Sequence, residues 1–545
     1  MLALAGRPLT GYDLAVITRL PTSALASALL SLEAAQFVRR SGTALAFAHE
    51  RYRGRAEALV GPDERRAIHR AIARYLSRSA AGNPAARYEV ASHYAGAGRS
   101  KEARTHALAA ARYAASVGAV RERSAALELA RSVSAAYDGR LAADLGACYL
   151  DLKEFERLDA LCAEALGRGD LDQDLRDEFR YLGIAADHHA GRAPLLGVQA
   201  ALEALLAETG PRFARDLDAR NLLMRTADKT GDHRVVKRIA RELRRRSAPP
   251  GGAPPSAHSL FASAYVIAKY YWPERALPLL EEASRLAQEE QNWELEHLCH
   301  DGIGTVLKHL GRYDESIAHI HCSLALARKT LNPLAEASSL NNIANAEMAK
   351  GSFDRAAQVM RESAKIEADY PRWPLRLYRY YNRGILHLLT GEIGAARADL
   401  QFSLEEALNI DLWPIALYAC GALGLCAVRQ DNFSALARRR QQAEQIAGPR
   451  LHAIPERWTV EATLAWDTAI NRGDLRQAVT MAERSSREFR RRDVDNWLRL
   501  RLELIEIREK CDGSRLQAER ARLAVHAAEH HALGVQRAAL ASCRC

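Results

Sequence analysis

Short runs of apolar and small residues with helical character fill most of this chain, and they break at a constant interval. The stretch SLNNIANAEMAKGSFDRAAQ, Ser339 to Gln358, holds one such break, where Gly351 separates two runs rich in alanine and apolar residues. The same phase recurs at Gly311 in GRYDES, Gly391 in GEIGAA and Asp431 in DNFSAL, always one equal step apart. Earlier in the chain the step reaches Tyr271, Gly231 and Gly191; later, Gly473 is offset by two and Gly513 follows one full step on. A looser unit surrounds Phe155. A small residue sits seven before the break (Ala264, Gly304, Ala344, Gly384, Gly424), and a large apolar one often two after it (Tyr313, Phe353, Ile393, Phe433, Leu475). Three further on comes another small residue, as in Ala276, Ser316, Ala356, Ala396 and Ala478. Small residues let two helices approach, the large one fills the wedge, and glycine takes the positive φ of the turn. The pattern predicts an all-α solenoid of helical hairpins over residues 136–545, with repeats of about 40 residues.

Residues 1–135 lack this period. Short helices are expected around Leu2–Leu4, in GYDLAVIT, and in SALASALLSLEAAQ behind Pro21-Thr22-Ser23. Two β-like runs follow, Phe37-Val38 and Ala44–Phe47, around the turn Ser41-Gly42-Thr43. Helices followed by a small hairpin outline a winged-helix-like segment over residues 1–60. A basic helix, DERRAIHRAIARYL, and three more helices make a connector over residues 61–135.

Composition narrows the class. The chain has 545 residues, 48% of them hydrophobic, 26% charged and only 6% aromatic, which favours an alanine-rich helical protein. Its formal charge of +10 comes almost wholly from arginine, with 67 arginines to ten lysines. Nine cysteines show no repeated spacing, as expected in a reducing compartment rather than in a disulfide framework. The N-terminus MLALAGRPLTGYDL has no basic leader region, and no apolar run reaches the length of a membrane span. A soluble, cytoplasmic protein is expected.

The repeated unit, small–x6–Gly–x–aromatic–x2–Ala, resembles the tetratricopeptide (TPR) pattern, although each unit is longer than the usual one by about six positions. The N-terminal order resembles the segment that follows the nucleotide-binding core in the signal-transduction ATPases with numerous domains (STAND) and the LuxR-type large activators. There a Phe–x–His stretch, here Phe47-Ala48-His49, precedes an arginine-rich helix, here Arg65-Arg66-Ala67-Ile68-His69-Arg70-Ala71-Ile72-Ala73. The family's acidic and arginine pair after the Phe–x–His is only partly present, as Glu50 and Arg51. The resemblance implies a sensor or scaffold arm that relays ligand binding to an ATPase module. The phosphate-binding motif G-x-x-x-x-G-K-[ST] does not occur, so the chain is expected to be the arm without its motor, or a free-standing adaptor.

Little in the sequence points to catalysis or metal binding. His297, Cys299 and His300 spread over several faces of one helix, and His319 and His321 project about 200° apart on a helix of 3.6 residues per turn. His526 and His530 lack a third ligand at useful spacing, and Cys543-Arg544-Cys545 ends the chain. Neither HExxH, nor G-x-S-x-G, nor a dinucleotide fingerprint occurs. No catalytic residue, cofactor or metal is therefore expected. The basic runs at Lys237-Arg238, Arg241 and Arg244–Arg246, at Arg438–Arg440 and at Arg490–Arg492 carry few of the interleaved aromatics that stack bases. They read as solvated faces, with arginine-mediated nucleic-acid binding the less favoured alternative. The cluster Arg39, Arg40, Arg51, Arg53 and Arg55 is the corresponding candidate in the N-terminal segment.

The TPR resemblance implies a concave groove lined by the first helix of each unit. It assigns Asp301, Lys308 and His309 to the groove in one unit, then Asn341, Asn342 and Asn345, then Tyr378, Tyr381 and Asn382. Asn342 and Asn382 fall at the same position of successive units, where an amide can both donate to and accept from an extended peptide backbone. Three asparagines crowded into little more than one helical turn also cost helix propensity, which favours a reason beyond the fold. A protein or peptide ligand in this groove is the expected partner.

Overall fold

A computed structural model describes residues 1–79, 83–209, 213–246, 256–270, 272–371, 376–448, 457–513 and 516–541. The expected turn at Tyr271 and the terminal Cys543-Arg544-Cys545 lie outside the described residues, as do the side chains of Arg244 and Arg246. Among the described residues the fold is all-α apart from one small sheet. Contacts divide the chain into two compact units: residues 1–152 with 163–171, and residues 153–162 with 172–545.

The first unit opens with helix α1 (Leu2–Ala5), strand β1 (Leu9–Thr10), α2 (Gly11–Thr18), α3 (Thr22–Ala34), β2 (Val38–Ser41) and β3 (Ala44–Phe47). The strands form an antiparallel sheet in the order β1-β3-β2, with Leu9 opposite Leu45 and Val38 opposite Phe47. Thr10 caps α2 reciprocally with Asp13: its hydroxyl accepts from the Asp13 amide at 3.0 Å and its own amide donates back at 2.7 Å. Leu9, Leu14, Val38 and Leu45 then form one small core with Ile72 and Leu76. Two elements carry no signal in the sequence reading: β1, which is very short, and α4 (Glu50–Ala58), which has no buried residue. Helices α5 (Pro62–Ser79), α6 (Arg87–Gly96), α7 (Ser100–Ser116), α8 (Val120–Ser132) and α9 (Gly139–Leu152) follow, and α10 (Phe155–Leu166) comes next in the chain.

The second unit is a run of antiparallel helix pairs. Its pairs are α11 (Gln173–Ala190) with α12 (Leu195–Glu208), α13 (Asp216–Lys229) with α14 (His233–Arg246), and α15 (Ala257–Tyr270) with α16 (Leu277–Glu289). Next come α17 (Trp293–His309) with α18 (Tyr313–Lys329), α19 (Pro333–Lys350) with α20 (Phe353–Glu367), and α21 (Arg376–Thr390) with α22 (Ile393–Asn409). The last are α23 (Trp413–Val428) with α24 (Phe433–Ala447), α25 (Trp458–Ile470) with α26 (Leu475–Arg492), α27 (Val494–Asp512) with α28 (Gln517–Glu529), and α29 (Leu533–Ala541).

The interval seen in the sequence is that of the turns within pairs. Gly191, Gly231, Gly311, Gly351, Gly391, Asp431, Gly473 and Gly513 all have φ between +51° and +93°. Each turn closes on the preceding helix, as where the Arg312 amide donates to the Leu307 carbonyl at 2.9 Å and Ser352 to Glu347 at 2.8 Å. A second left-handed position recurs between pairs, at Gln291, Leu331 and Asp411. After two of these, Asn292 and Asn332 accept from the amides of Leu295 and Ala335 and cap the next helix.

Small residues sit where the pairs touch. Ala264, Ala344, Ala276, Ser316, Ala356, Ala396 and Ala478 are all fully buried. The Ser316 hydroxyl donates to the Gly304 carbonyl at 2.6 Å, and a Cβ on Gly304 would strike Ile320. Larger residues at such sites force neighbours off their rotamers, at about 1–3 kcal/mol each. Serines repeat across pairs as well: Ser363 donates to the Ala337 carbonyl and Ser403 to the Leu377 carbonyl, both at 3.1 Å.

The path of this unit returns on itself. The Trp413 indole N–H donates to the Thr230 carbonyl, 183 residues earlier. Gly534 packs on Gly351 at the same separation along the chain, and no side chain fits between their backbones. His309 meets Asp493 at 3.3 Å, and Arg499 Nη2 reaches the Met348 carbonyl at 3.4 Å. Repeats four to five units apart are thus in direct contact, in addition to the nearest neighbours expected of a solenoid.

Candidate functional site

The residues assigned to the groove fall into two groups. Asp301 on α17 and Asn342 on α19 are half-buried and bonded, with Asn342 Nδ2 donating to Asp301 Oδ1 at 2.7 Å. Asn382 on α21 is 4% exposed and donates Nδ2 to Asn341 Oδ1 at 3.1 Å. Asn342 and Asn382 therefore each have a partner within the chain. Each amide is bonded to the preceding first helix, joining α17 to α19 and α19 to α21. Asn345 is half-buried and makes no side-chain hydrogen bond among the described residues.

Lys308 and His309 are met by the chain's own next turn, and Tyr381 is covered by the two repeats that follow it. Lys308 is 9% exposed and Tyr381 4%. His309 faces Asp493, which also caps α27 by accepting from the Asn496 amide at 3.1 Å. Burial pushes the His309 imidazole down to about 4 and lowers the Lys308 ammonium too. Burial opposes the Asp493 anion, yet His309, Lys308 and the Asn496 amide hold its carboxyl below the usual range. The Arg457 guanidinium lies 5.1 Å from the Tyr418 ring centroid, beside the buried Tyr381. These side chains cement one turn to the next, a role the repeat pattern could not reveal because it says nothing of the superhelical pitch.

What stays half-buried on this side is a basic and aromatic patch. Lys229, the last residue of α13, lies with its amine 5.9 Å from the Tyr378 ring centroid. Burial, aided by Arg225, pushes the Lys229 ammonium down to about 7, against the opposing pull of Asp228 and Asp301. On α11, His188 is buried and its Nδ1 has no hydrogen-bond partner among the described residues. Burial first, then Lys229, Arg225 and Lys153, holds its imidazole down to about 3, and His189 is likewise lowered by burial. Arg225 has no carboxylate partner among the described residues, whereas Asp228 is engaged by Lys269 and by the Tyr265 hydroxyl at 2.8 Å. The patch offers cation, amide and aromatic contacts for non-covalent recognition. Sequence reading missed Arg225 and Lys229, although the repeat phase puts Lys229 where His309 lies in a later unit.

Of the histidines considered for metal binding, His297, His300 and His319 pair among themselves or with serine, and His526 Nδ1 lies 3.1 Å from Glu529. His300 and His319 approach Nδ1 to Nδ1 at 3.2 Å, and the Ser323 hydroxyl lies 2.9 Å from His297 Nδ1. Among the described residues no group of three or more His, Cys, Asp or Glu side chains is placed to hold a metal ion. Among them also, no helix is long and apolar enough to cross a membrane.

Residues 295–367, spanning most of α17 through α20, match the family model described as tetratricopeptide repeat. Comparison with curated protein sequences finds no match. Among solved structures, a STAND protein with a tetratricopeptide repeat sensor from Pyrococcus horikoshii is similar at 14% identity and a TM-score of 0.37, over 82% of this chain. The chain spans 62% of the length of that protein. A Rap protein complexed with Competence and Sporulation Factor is similar at 12% identity and a TM-score of 0.41, over 69% of this chain and 99% of that one. Aspartyl phosphate phosphatase F from Bacillus subtilis is similar at 14% identity and a TM-score of 0.37, over 66% of this chain and 96% of that one.

Proposed function

We propose that the chain is a non-catalytic recognition arm that holds a protein or peptide on the concave side of its helical repeats and relays binding to an ATPase module of the STAND/LuxR type. One observation carries the recognition half of this reading. The concave positions of α13, α17, α19 and α21 leave a half-buried patch, Lys229, Asp301, Asn342, Asn345 and Tyr378, beside an Arg225 that has no carboxylate partner among the described residues. The adjacent Arg225 favours an acidic group on the ligand.

The N-terminal element order α1-β1-α2-α3-β2-β3 supports the winged-helix-like reading of residues 1–60. In that reading the segment packs on a protein partner rather than reading DNA. Helices α2 and α3 contain no lysine or arginine, and Tyr12, Val16 and Leu30 are exposed on them. Arg40 and Arg53, from the basic cluster, are already paired with Glu33 and Glu50.

Affinity purification with the wild type and with an Asn345→Ala, Tyr378→Ala variant tests the groove. A partner retained by the wild type and lost by the variant, at an unchanged melting temperature, is the expected result. Equal recovery with both proteins rejects the patch as the recognition site. An in-frame phosphate-binding motif upstream of Met1 in the gene supports the regulator, and its absence supports a free-standing adaptor.

A further inference from the structure

The arginine run Arg438-Arg439-Arg440 looks uniform in sequence, but helix phase divides it. Arg440 turns inward, 8% exposed, and is bonded to the Thr468 hydroxyl at 2.8 Å and to Glu444 at 3.0 Å, with Asp467 at 3.5 Å. Arg438 and Arg439 turn the other way. With Arg397 of α22 they line a cavity of about 490 Å³, floored by Leu423 and Ala427 of α23. Gln430, Asn432, Ala435, Gln441, Gln442 and Gln445 complete the wall, and among the described residues no carboxylate lines it.

Among the described residues, no counter-ion meets the three guanidinium groups in this concavity. Other arginines of the same unit meet acids, as Arg383 does Asp399, Arg429 Glu503, Arg508 Glu519 and Arg520 Glu509. Arg439 is held instead by neutral acceptors, the side-chain oxygens of Gln442 at 2.7 Å and Gln401 at 2.9 Å. Its charge is positioned but not compensated. Arg397 and Arg438 have no acidic partner among the described residues. Like charges brought together repel, and a bound anion reverses the sign of that interaction. Guanidinium forks match oxyanions in bidentate geometry, and side-chain amides add N–H donors. The volume falls within the range of small-ligand sites. Among the described residues the wall has no aromatic ring on which a nucleobase could stack.

We propose that this cavity between α22 and α24 is a binding site for a small, multiply charged phosphoryl compound. Three arginines approaching from two helices suit the three terminal oxygens of a phosphoryl group better than the two of a planar carboxylate. The ligand bridges successive repeats, so its binding stiffens α22 against α24. The proposal does not depend on the concave patch or its ligand.

Titration calorimetry of the full chain with inorganic pyrophosphate tests it, with citrate as the carboxylate comparison. Pyrophosphate is expected to bind at one site, more tightly than citrate, with an affinity that falls as salt rises. The Arg397→Gln, Arg438→Gln variant should weaken pyrophosphate at least tenfold while its melting temperature stays that of the wild type. Arg361→Gln, on an exposed face elsewhere, should leave binding unchanged. Absence of pyrophosphate binding, binding unaffected by the double substitution, or preference for citrate each overturns the proposal. Should the double variant melt early, Arg438→Gln alone is read by the same criterion.

Discussion

Gly351 and Gly391 occupy equivalent turns, yet a methyl group added to them meets different surroundings. Both have positive φ, +93° and +84°, which an alanine adopts at a cost of about 1 kcal/mol. Around Gly391 nothing lies within 4 Å of the added carbon, whereas at Gly351 it would run into the backbone of Leu533 and Gly534. Gly351→Ala is therefore expected to lose clearly more stability than Gly391→Ala in urea denaturation, and equal losses would contradict the packing of Gly534 on Gly351. Titration is a second test at this scale. Burial holds His188 near 3 and His93, His300 and His309 near 4, all below the ordinary 6.5. Between about pH 6.5 and 4 the unfolded chain binds protons that the folded one refuses, so stability must fall as pH falls through that window. Above 6.5 these groups contribute no slope. Glu506, pushed up by burial and by Glu503, acts in the opposite direction, as do Glu296 and Glu367, both raised by burial, but the lowered imidazoles outnumber them. Melting is expected several degrees lower at pH 5 than at pH 7, and His309→Gln should reduce the difference.

Among elements, the buried pair Arg379–Glu367 shows what holds one hairpin to the next. Their side chains are 6% and 4% exposed and meet at 2.6 Å, tying the end of α20 to the start of α21. Burial raises the Glu367 carboxyl even against Arg379, so the acid depends on its partner to stay charged. Arg379→Met leaves that carboxyl unpaired and should destabilise by about 3–5 kcal/mol, with Glu367→Gln in the same chain recovering part of the loss. A double-mutant cycle by urea denaturation measures both, and additive losses would rule out the coupling. The hairpins were legible because glycine at a left-handed turn leaves a mark at fixed spacing. The turns between pairs were not, since Gln291, Leu331 and Asp411 take the same backbone region without glycine. The N-terminal elements were read where a helix or strand carried a clear apolar pattern and missed at Leu9–Thr10 and Glu50–Ala58. The site was legible only in part. The repeat phase assigned Asn342 and Tyr378 to the inner side, but Asn382, Lys308 and His309 turned out to be bonded or buried within the chain. Their partners lie on other helices, one repeat back for Asn382 and more than four repeats on for His309, where spacing along one helix carries no information.

At the scale of the whole repeat unit, long-range contacts change how the array should unfold. In an open solenoid each repeat answers only to its neighbours, and unfolding can spread from an end. Here Trp413 binds the Thr230 carbonyl, and Asp493 engages His309, across most of a superhelical turn. Trp413→Phe removes one such bond, for a loss of about 1 kcal/mol in stability. It should also lower the slope of the urea transition as the two turns uncouple. An unchanged slope would mean that the turns unfold independently already.

The recurrence of one long offset, from Thr230 to Trp413 and again from Gly351 to Gly534, has a consequence for how this sequence can change over evolutionary time. Open repeat arrays grow and shrink by whole units, because an inserted hairpin only lengthens the stack. In this chain an extra unit between Gly231 and Trp413 would carry the indole a full hairpin past the carbonyl it binds, and would separate Gly351 from Gly534 if placed between those two. The two turns mesh like threads of a fixed gauge, so the copy number of hairpins between them is locked. Duplicating residues 313–352 should therefore yield a protein that folds poorly, although every hairpin in it is native.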